Sequence, residues 1–375
     1  MQWEKQNMKI KRIDAYQVTY RYAEKGVYSM SGSRSLESFP STIVKVTAGN
    51  GSAGYGEVCP LGSNYMDAYA LGVVSGIKEL APVLIDQDPL QLSAINHLMD
   101  STLEGHAYVK SPLDIACWDL LGQAAGVPVV TLLGGRQAES YPLYRAISKH
   151  SSEQMTEDVA RFRSEGYRKF QLKVGGNPDE DIARVKSVLK VISPGDVLVA
   201  DANRGWLAAE AMRVVTALSE ENCYVEQPCK TLEECLVIRS HTNLPMVLDE
   251  VITGPASFLR AWKNGAMDVV NLKIARLGGL TKAKLMRDMC EAVGIRMTIE
   301  DCWGGDVTTA TVAHLAGSTR PEYLFSSTDF NSYVDVQVAQ DAPKRKEGML
   351  PVPTTPGLGI TVDEKVLGKP VFSMK

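Results

Sequence analysis

The sequence predicts an α/β protein built as a (β/α)8 barrel joined to an α+β capping domain. Two observations carry this. In the later part of the chain, seven short strand-like runs each lead to a charged residue: Lys173, Asp201, Glu226, Asp249, Lys273, Asp301 and Asp329, at successive spacings of 28, 25, 23, 24, 28 and 28 residues. One strand, one helix and two short loops consume about 25 residues, and a closed parallel barrel delivers the C-terminal end of every strand to one face. The second observation is length. The barrel occupies residues 139–335 of 375, so residues 1–138, completed by 336–375, are left for a separate capping layer.

In chain order, Lys9-Ile-Lys-Arg-Ile-Asp-Ala-Tyr16 and the alternating Ser41-Thr-Ile-Val-Lys-Val-Thr47 read as strands, and residues 67–84 and 110–125 as helices. Tyr141-Pro-Leu-Tyr144-Arg-Ala-Ile147 is the first barrel strand. Strands two to six follow as Phe170-Gln-Leu172, Val197-Leu-Val-Ala200, Cys223-Tyr-Val225, Met246-Val-Leu248 and Val269-Val-Asn-Leu272. Met297-Thr-Ile299 is the seventh, and Tyr323-Leu-Phe325 the eighth, running through Ser326-Ser-Thr328 to Asp329. Such short, mostly unbroken apolar runs suit parallel strands covered on both faces. Residues 180–189 and 280–293 carry apolar residues at helical spacing, the latter after Leu277-Gly278-Gly279. In the tail, Gly357-Leu-Gly-Ile-Thr-Val362 reads as a strand returning to the capping layer.

Composition excludes several functions. A net charge of −4 with no cluster of Lys and Arg argues against a nucleic-acid or membrane surface. The start, Met1-Gln-Trp-Glu-Lys-Gln-Asn7, is polar, and no apolar run is long enough to span a bilayer, so neither a signal peptide nor a membrane span is expected. Seven scattered cysteines suggest free thiols in a reducing compartment, and a cytoplasmic location is expected. The five histidines, His106 and His314 among them, match no metal-ligand spacing.

An isolated acid or lysine at a strand end is ordinarily a solvated cap, but the combination here points elsewhere. Asp201, Glu226 and Asp249 fall on strands three, four and five and form an arc of hard oxygen donors. Converging carboxylates repel one another without a cation, and Mg2+ suits such ligands. Lys173 and Lys273 fall on strands two and six, four apart in a ring of eight, and so face each other across the pocket. A nearby divalent cation and burial both favour the neutral amine that a general base requires.

The chain of motifs resembles the enolase superfamily, in its muconate lactonizing enzyme-like branch. Ala116-Cys-Trp118-Asp119-Leu120, Gly126-Val-Pro128 and Leu133-Gly134-Gly135 are similar to the end of the family's capping domain. Gly166-Tyr-Arg-Lys-Phe-Gln171-Leu-Lys173-Val-Gly175, Asp201-Ala-Asn203, Val225-Glu226-Gln-Pro228, Leu248-Asp249-Glu250 and Leu272-Lys273 are similar to its base and metal motifs. The resemblance implies one Mg2+ per subunit on Asp201, Glu226 and Asp249, supported by Glu250, and lysine bases that pass through a stabilised ene-diolate. It also implies a homo-oligomer acting on a small amino-acid substrate. One departure is Gln171, where the family usually has a second lysine.

Within that branch, Gln171-x-Lys173, Ala202-Asn203-Arg-Gly-Trp206, Glu226-Gln-Pro-Cys229 and Trp303-Gly-Gly-Asp306 resemble a group acting on proline derivatives, the cis-3-hydroxy-L-proline dehydratases and hydroxyproline betaine 2-epimerases. Substrate contacts are expected from Tyr65, Gln171, Asn203, Asp301, Trp303 and Asp329. Asp329-Phe-Asn331 is similar to an acid motif that binds a substrate ammonium elsewhere in the superfamily, which favours a free imino acid over a betaine. The reaction expected is removal of an α-proton and loss of a 3-hydroxyl, giving a pyrroline-2-carboxylate. The alternative is epimerisation of hydroxyproline or its betaine. A non-catalytic enolase-like binding or structural protein is the reading of another class, and the presence of all three acids and both lysines speaks against it. Loops 26–39 and 62–65 are expected to close over the substrate.

Overall fold

The computed structural model describes residues 8–24, 26–32 and 34–375. The polar start Met1-Gln-Trp-Glu-Lys-Gln-Asn7, on which the absence of a signal peptide was argued, lies outside them.

The capping layer is a four-stranded antiparallel sheet. Its spatial order is Phe372–Met374, Ile10–Arg21, Ser38–Ala48, Ala53–Val58, so the last residues of the chain pair with the first described strand, Ile13 opposite Met374. The two long strands extend further than their alternating segments suggest, because pairing runs from Ile10 opposite Ala48 to Arg21 opposite Ser38. Helices Ala70–Leu84, Leu92–Thr102 and Ala107–Ala125 cover the sheet, the second of them not foreseen from the sequence. Helix Ala107–Ala125 lies hard against the sheet. A Cβ on Gly54 would stand 2.1 Å from the Ala116 carbonyl oxygen, and one on Gly56 1.9 Å from that of Pro112, so only glycine permits this approach. With both flanks covered, most of the helix is buried and carries no amphipathic stripe.

Eight parallel strands form the second body in strict sequence order: Tyr144–Ile147, Lys169–Lys173, Val197–Asp201, Tyr224–Glu226, Met246–Leu248, Val269–Lys273, Arg296–Glu300 and Leu324–Ser327. Helices alternate with them, including Pro178–Leu189 and Leu280–Val293. Val199, Val247, Val269 and Phe325 pack together as an apolar cluster of their own, with Val197 and Tyr224 against them. The charged strand ends lie at the other end of the same strands.

Four sequence expectations need correction. The tail run from Gly357 to Val362 does not return to the capping sheet: only Thr361–Val362 is a strand, paired antiparallel with Ala339–Gln340, and the segment that joins the sheet is Phe372–Met374. The run from Tyr141 to Ile147 is not one strand: Ser140–Pro142 pairs antiparallel with Met349–Pro351, and the barrel begins at Tyr144. The seventh strand ends at Glu300, opposite Lys273, so Asp301 lies one residue beyond it. The eighth ends at Ser327, two residues before Asp329.

Candidate active site

Strand register gathers the charges. Lys173, Asp201 and Glu226 are directly paired across the second, third and fourth barrel strands, and Lys273 is paired with Glu300 across the sixth and seventh. Lys173 and Lys273 line one buried cavity of about 20 Å3, which is room for about one water. Gln171, Glu300, Asp301 and Cys302 share it from the barrel, and Tyr28, Met30, Leu61 and Tyr65 close it from the capping side. Both regions expected to act as lids, 26–39 and 62–65, therefore reach the cavity. Arg34 ties the first of them down, donating from Nη2 to the Asn203 carbonyl at 2.8 Å.

The three acids of the arc stand one step behind these lining residues. Lys173 Nζ donates to Asp201 Oδ2 at 2.5 Å. Glu226 accepts from Gln171 Nε2 at 3.0 Å and from Asn271 Nδ2 at 2.7 Å. Asp249 accepts from Arg276 Nη1 at 2.6 Å and from the Tyr65 hydroxyl at 3.1 Å, and Lys273 Nζ lies 3.3 Å from it. Burial, then Asp201 and Asp249, push the Glu226 carboxyl well above the usual range. Asp249 is buried too, but Arg276 and Lys273 bring it down to about 2. Burial opposes the charge on Lys173 and Lys273, but their acid neighbours outweigh it and raise both. The backbone beside the acids is left-handed at Asn203 (φ 42°), Arg204 (φ 65°) and Gln227 (φ 37°), a concentration of strained residues typical of a functional site.

Among the described residues, no three His, Cys, Asp or Glu side chains already surround a metal-sized point, because each acid is turned onto a basic or amide neighbour. The donor chemistry still fits a hard divalent cation. Three buried carboxylates converge from adjacent strands, and two further buried oxygens nearby, Asn203 Oδ1 and Glu250 Oε2, have no hydrogen-bond partner. Glu250, held by Asn203 Nδ2 at 3.2 Å, is raised to about 7 by burial and by Asp249 and Asp201.

The expected substrate contacts divide. Tyr65, Gln171, Asp301 and Trp303 line the cavity, while Asn203 sits behind it, bonded to Glu250, the residue expected to support the metal acids. Asp301 accepts backbone N–H bonds from Ala275 at 3.0 Å and Cys302 at 2.7 Å, and burial raises it to about 7. The expectation for Asp329 fails. Thr328 and Phe330 line the cavity instead, and the Asp329 carboxylate faces Tyr167 at 3.5 Å and Arg345 at 3.7 Å, so it is not placed to meet a substrate ammonium. Asp329 is itself extended (φ −113°, ψ 95°), so its side chain points the opposite way from those of Thr328 and Phe330 on either side, before the chain turns into the short 3-10 helix Phe330–Ser332. Sequence reasoning paired Glu300 with Asp301 as a possible holder of a neighbouring lysine but named only Asp301 as a site residue; it is Glu300 that accepts from Lys273 Nζ at 2.8 Å and from the Tyr144 hydroxyl, and Arg276 on Asp249 was missed. Counting the seventh strand back to its true end finds the first, and the Lys273-x-x-Arg276 spacing in a helical turn finds the second.

Comparison with known proteins agrees with this arrangement. Residues 154–366 match the enolase C-terminal domain-like family, and residues 21–134 match the mandelate racemase / muconate lactonizing enzyme N-terminal domain. The chain belongs to the enolase superfamily. Members of this superfamily generally use Mg2+ and act on small molecules. The chain is 54% identical over 364 residues to a cis-3-hydroxy-L-proline dehydratase from Roseibium aggregatum, covering 97% of this chain and 99% of that one. An N-succinyl-L-Arg/Lys racemase from Bacillus cereus is 31% identical and covers 83% of each chain. A crystal structure of a mandelate racemase/muconate lactonizing enzyme from Roseovarius nubinhibens superposes with a TM-score of 0.95 at 38% identity, covering 98% of both. Another from that organism, complexed with magnesium, gives 0.95 at 33%, covering 98% of this chain and all of that one. Among the described residues no helix is long and apolar enough to cross a membrane.

Proposed function

We propose that this enzyme is a Mg2+-dependent hydro-lyase that converts cis-3-hydroxy-L-proline into a pyrroline-2-carboxylate. The near-full-length similarity to the Roseibium aggregatum dehydratase carries the reading. Asp201, Glu226 and Asp249 would hold the cation, which when bound neutralises the substrate carboxylate and so makes the α-proton removable. The lysine on the α-proton face, Lys173 or Lys273, takes that proton. The C3–O bond then breaks, and a lysine ammonium supplies the proton with which hydroxide leaves as water. The resulting enamine tautomerises to the pyrroline. Tyr65, Met30 and Leu61 exclude solvent from above, and Gln171, placed against Glu226, orients that carboxylate rather than adding a third positive charge.

Epimerisation of a hydroxyproline or its betaine is the second reading. Tyr28, Trp303, Phe330 and Tyr333 wall the cavity, and aromatic faces suit a quaternary nitrogen that a carboxylate cannot hydrogen-bond. Incubation with Mg2+ and cis-3-hydroxy-L-proline, followed by NMR, tests the first. Pyrroline formation that stops on chelation and resumes on adding Mg2+ supports it; recovery of the 2-epimer without pyrroline refutes it.

A further inference from the structure

Trp303 holds an unusual buried donor. Its ring lines the cavity and is packed among Phe39 (centroids 4.3 Å, stacked), Tyr28 (4.7 Å), Tyr333 (5.4 Å) and Phe330 (5.8 Å). The indole N–H can only donate, and it has no partner. Among the described residues the other two buried tryptophans are satisfied: Trp118 donates to Thr281 at 2.8 Å and Trp206 to Asp181 at 3.0 Å. A buried orphan donor is an exception that calls for a missing acceptor, and the cavity is where a substrate would bring one.

The loop that carries Trp303 is fixed from the other domain. Glu57, on capping strand Ala53–Val58, accepts from the Tyr20 hydroxyl (2.8 Å), the Ser41 hydroxyl (2.8 Å) and the backbone N–H groups of Gly305 and Thr308 (2.9 Å each). Those amides begin helix Asp306–Gly317, whose first N–H groups need outside acceptors. A Cβ at Gly305 would stand 2.4 Å from the Tyr20 hydroxyl oxygen, which explains the glycine after Trp303-Gly304.

We propose that Trp303 Nε1–H donates to the 3-hydroxyl oxygen of the substrate and stabilises it as the C3–O bond breaks, with Glu57 as a positioning residue. The assignment rests on the dehydration reading above. In the step concerned, the electron pair left at C2 when a lysine takes the α-proton forms the C2=C3 bond. The C3–O pair leaves with oxygen, which takes a proton from a lysine ammonium and departs as water. Trp303 neither gains nor loses a proton. The lysines thus govern α-proton exchange, and Trp303 governs whether exchange proceeds to elimination.

Trp303→Phe keeps an aromatic ring and deletes the N–H. In D2O with Mg2+ and cis-3-hydroxy-L-proline, one set of 1H NMR spectra reports α-proton exchange and pyrroline formation together. The expected result is that pyrroline formation slows about 10- to 100-fold while exchange changes less than about threefold. Exchange of L-proline, which has no 3-hydroxyl, reports what the altered cavity wall costs by itself, and the loss of pyrroline formation from cis-3-hydroxy-L-proline should exceed that cost by about tenfold or more. Glu57→Gln should move the ratio of elimination to exchange the same way by a smaller factor. An unchanged ratio in Trp303→Phe overturns the assignment even if the variant is slower, because a packing defect slows both steps. Absence of pyrroline with the wild-type enzyme overturns the dehydration reading first and this assignment with it.

Discussion

Lys273 donates to Glu300 at 2.8 Å across adjacent barrel strands, and Glu300 in turn accepts from Tyr144. The lysine is therefore oriented by a buried acid that belongs to no metal arc. Glu300→Ala removes both contacts and leaves the other lysine, on Asp201, untouched. We expect α-proton exchange on the Lys273 face to fall about 10- to 100-fold and exchange on the Lys173 face to change little. Stereospecifically deuterated products, resolved by chiral analysis, separate the two. Equal losses on both faces would refute an orienting role.

The opposed lysines make their own prediction. Lys173→Ala and Lys273→Ala should each abolish turnover to product, yet one of the two should still exchange the α-proton of a single enantiomer, since each amine addresses one face of C2. Residual exchange of both enantiomers in either variant contradicts the geometry.

For the cation, Glu226→Gln should fold and be inactive. Mg2+ in hundredfold excess over its Kd stabilises a protein that binds it by about 2.7 kcal/mol. Addition of Mg2+ should therefore raise the unfolding temperature of the wild type and leave that of Glu226→Gln nearly unchanged. An equal rise in both would place the cation elsewhere.

Stability should also depend on His314. This side chain is buried, accepts from the Val130 N–H at 3.0 Å and reaches the Leu358 carbonyl at 3.1 Å, and burial lowers it from 6.5 to about 4. Its folded value lies below its unfolded one, so the unfolded chain binds the extra proton between them. The contribution is fully present above about pH 6.5, shrinks as pH falls toward 4, and at pH 5 has lost about 2 kcal/mol. Urea unfolding at pH 7 and pH 5 should show a smaller acid-induced loss for His314→Gln than for the wild type. Identical losses would refute the assignment.

The barrel was legible because its strands are buried on both faces and end in charge, a pattern that survives without any alignment. Helix Leu92–Thr102 escaped notice because it is short, ends in the polar run Asp100-Ser-Thr102 and buries few residues, Ile95, Asn96 and Met99. At the site, Lys173, Lys273, Asp201, Glu226 and Asp249 were found through strand spacing. Glu300 was passed over as a site residue in favour of the adjacent Asp301, which fitted the spacing better, although strand pairing puts Glu300 beside the lysine. Asp329 misled for a related reason: which side a residue beyond a strand end faces depends on the phase of that strand, and the eighth strand shifts register against the seventh between Met297 and Thr298, which residue counting does not reveal. Trp303-Gly304-Gly305 could be matched as a motif, but its cause, a carboxylate arriving from Glu57 nearly 250 residues earlier, is a tertiary fact.

The central claim is elimination from a free imino acid rather than epimerisation of a betaine, and a competition assay tests it most directly. Wild-type enzyme with Mg2+ is given equal amounts of cis-3-hydroxy-L-proline and hydroxyproline betaine in D2O and followed by 1H NMR. The account predicts that the free imino acid is consumed first and appears as a pyrroline-2-carboxylate. Preferential deuteration and 2-epimerisation of the betaine, with no pyrroline formed, would contradict it.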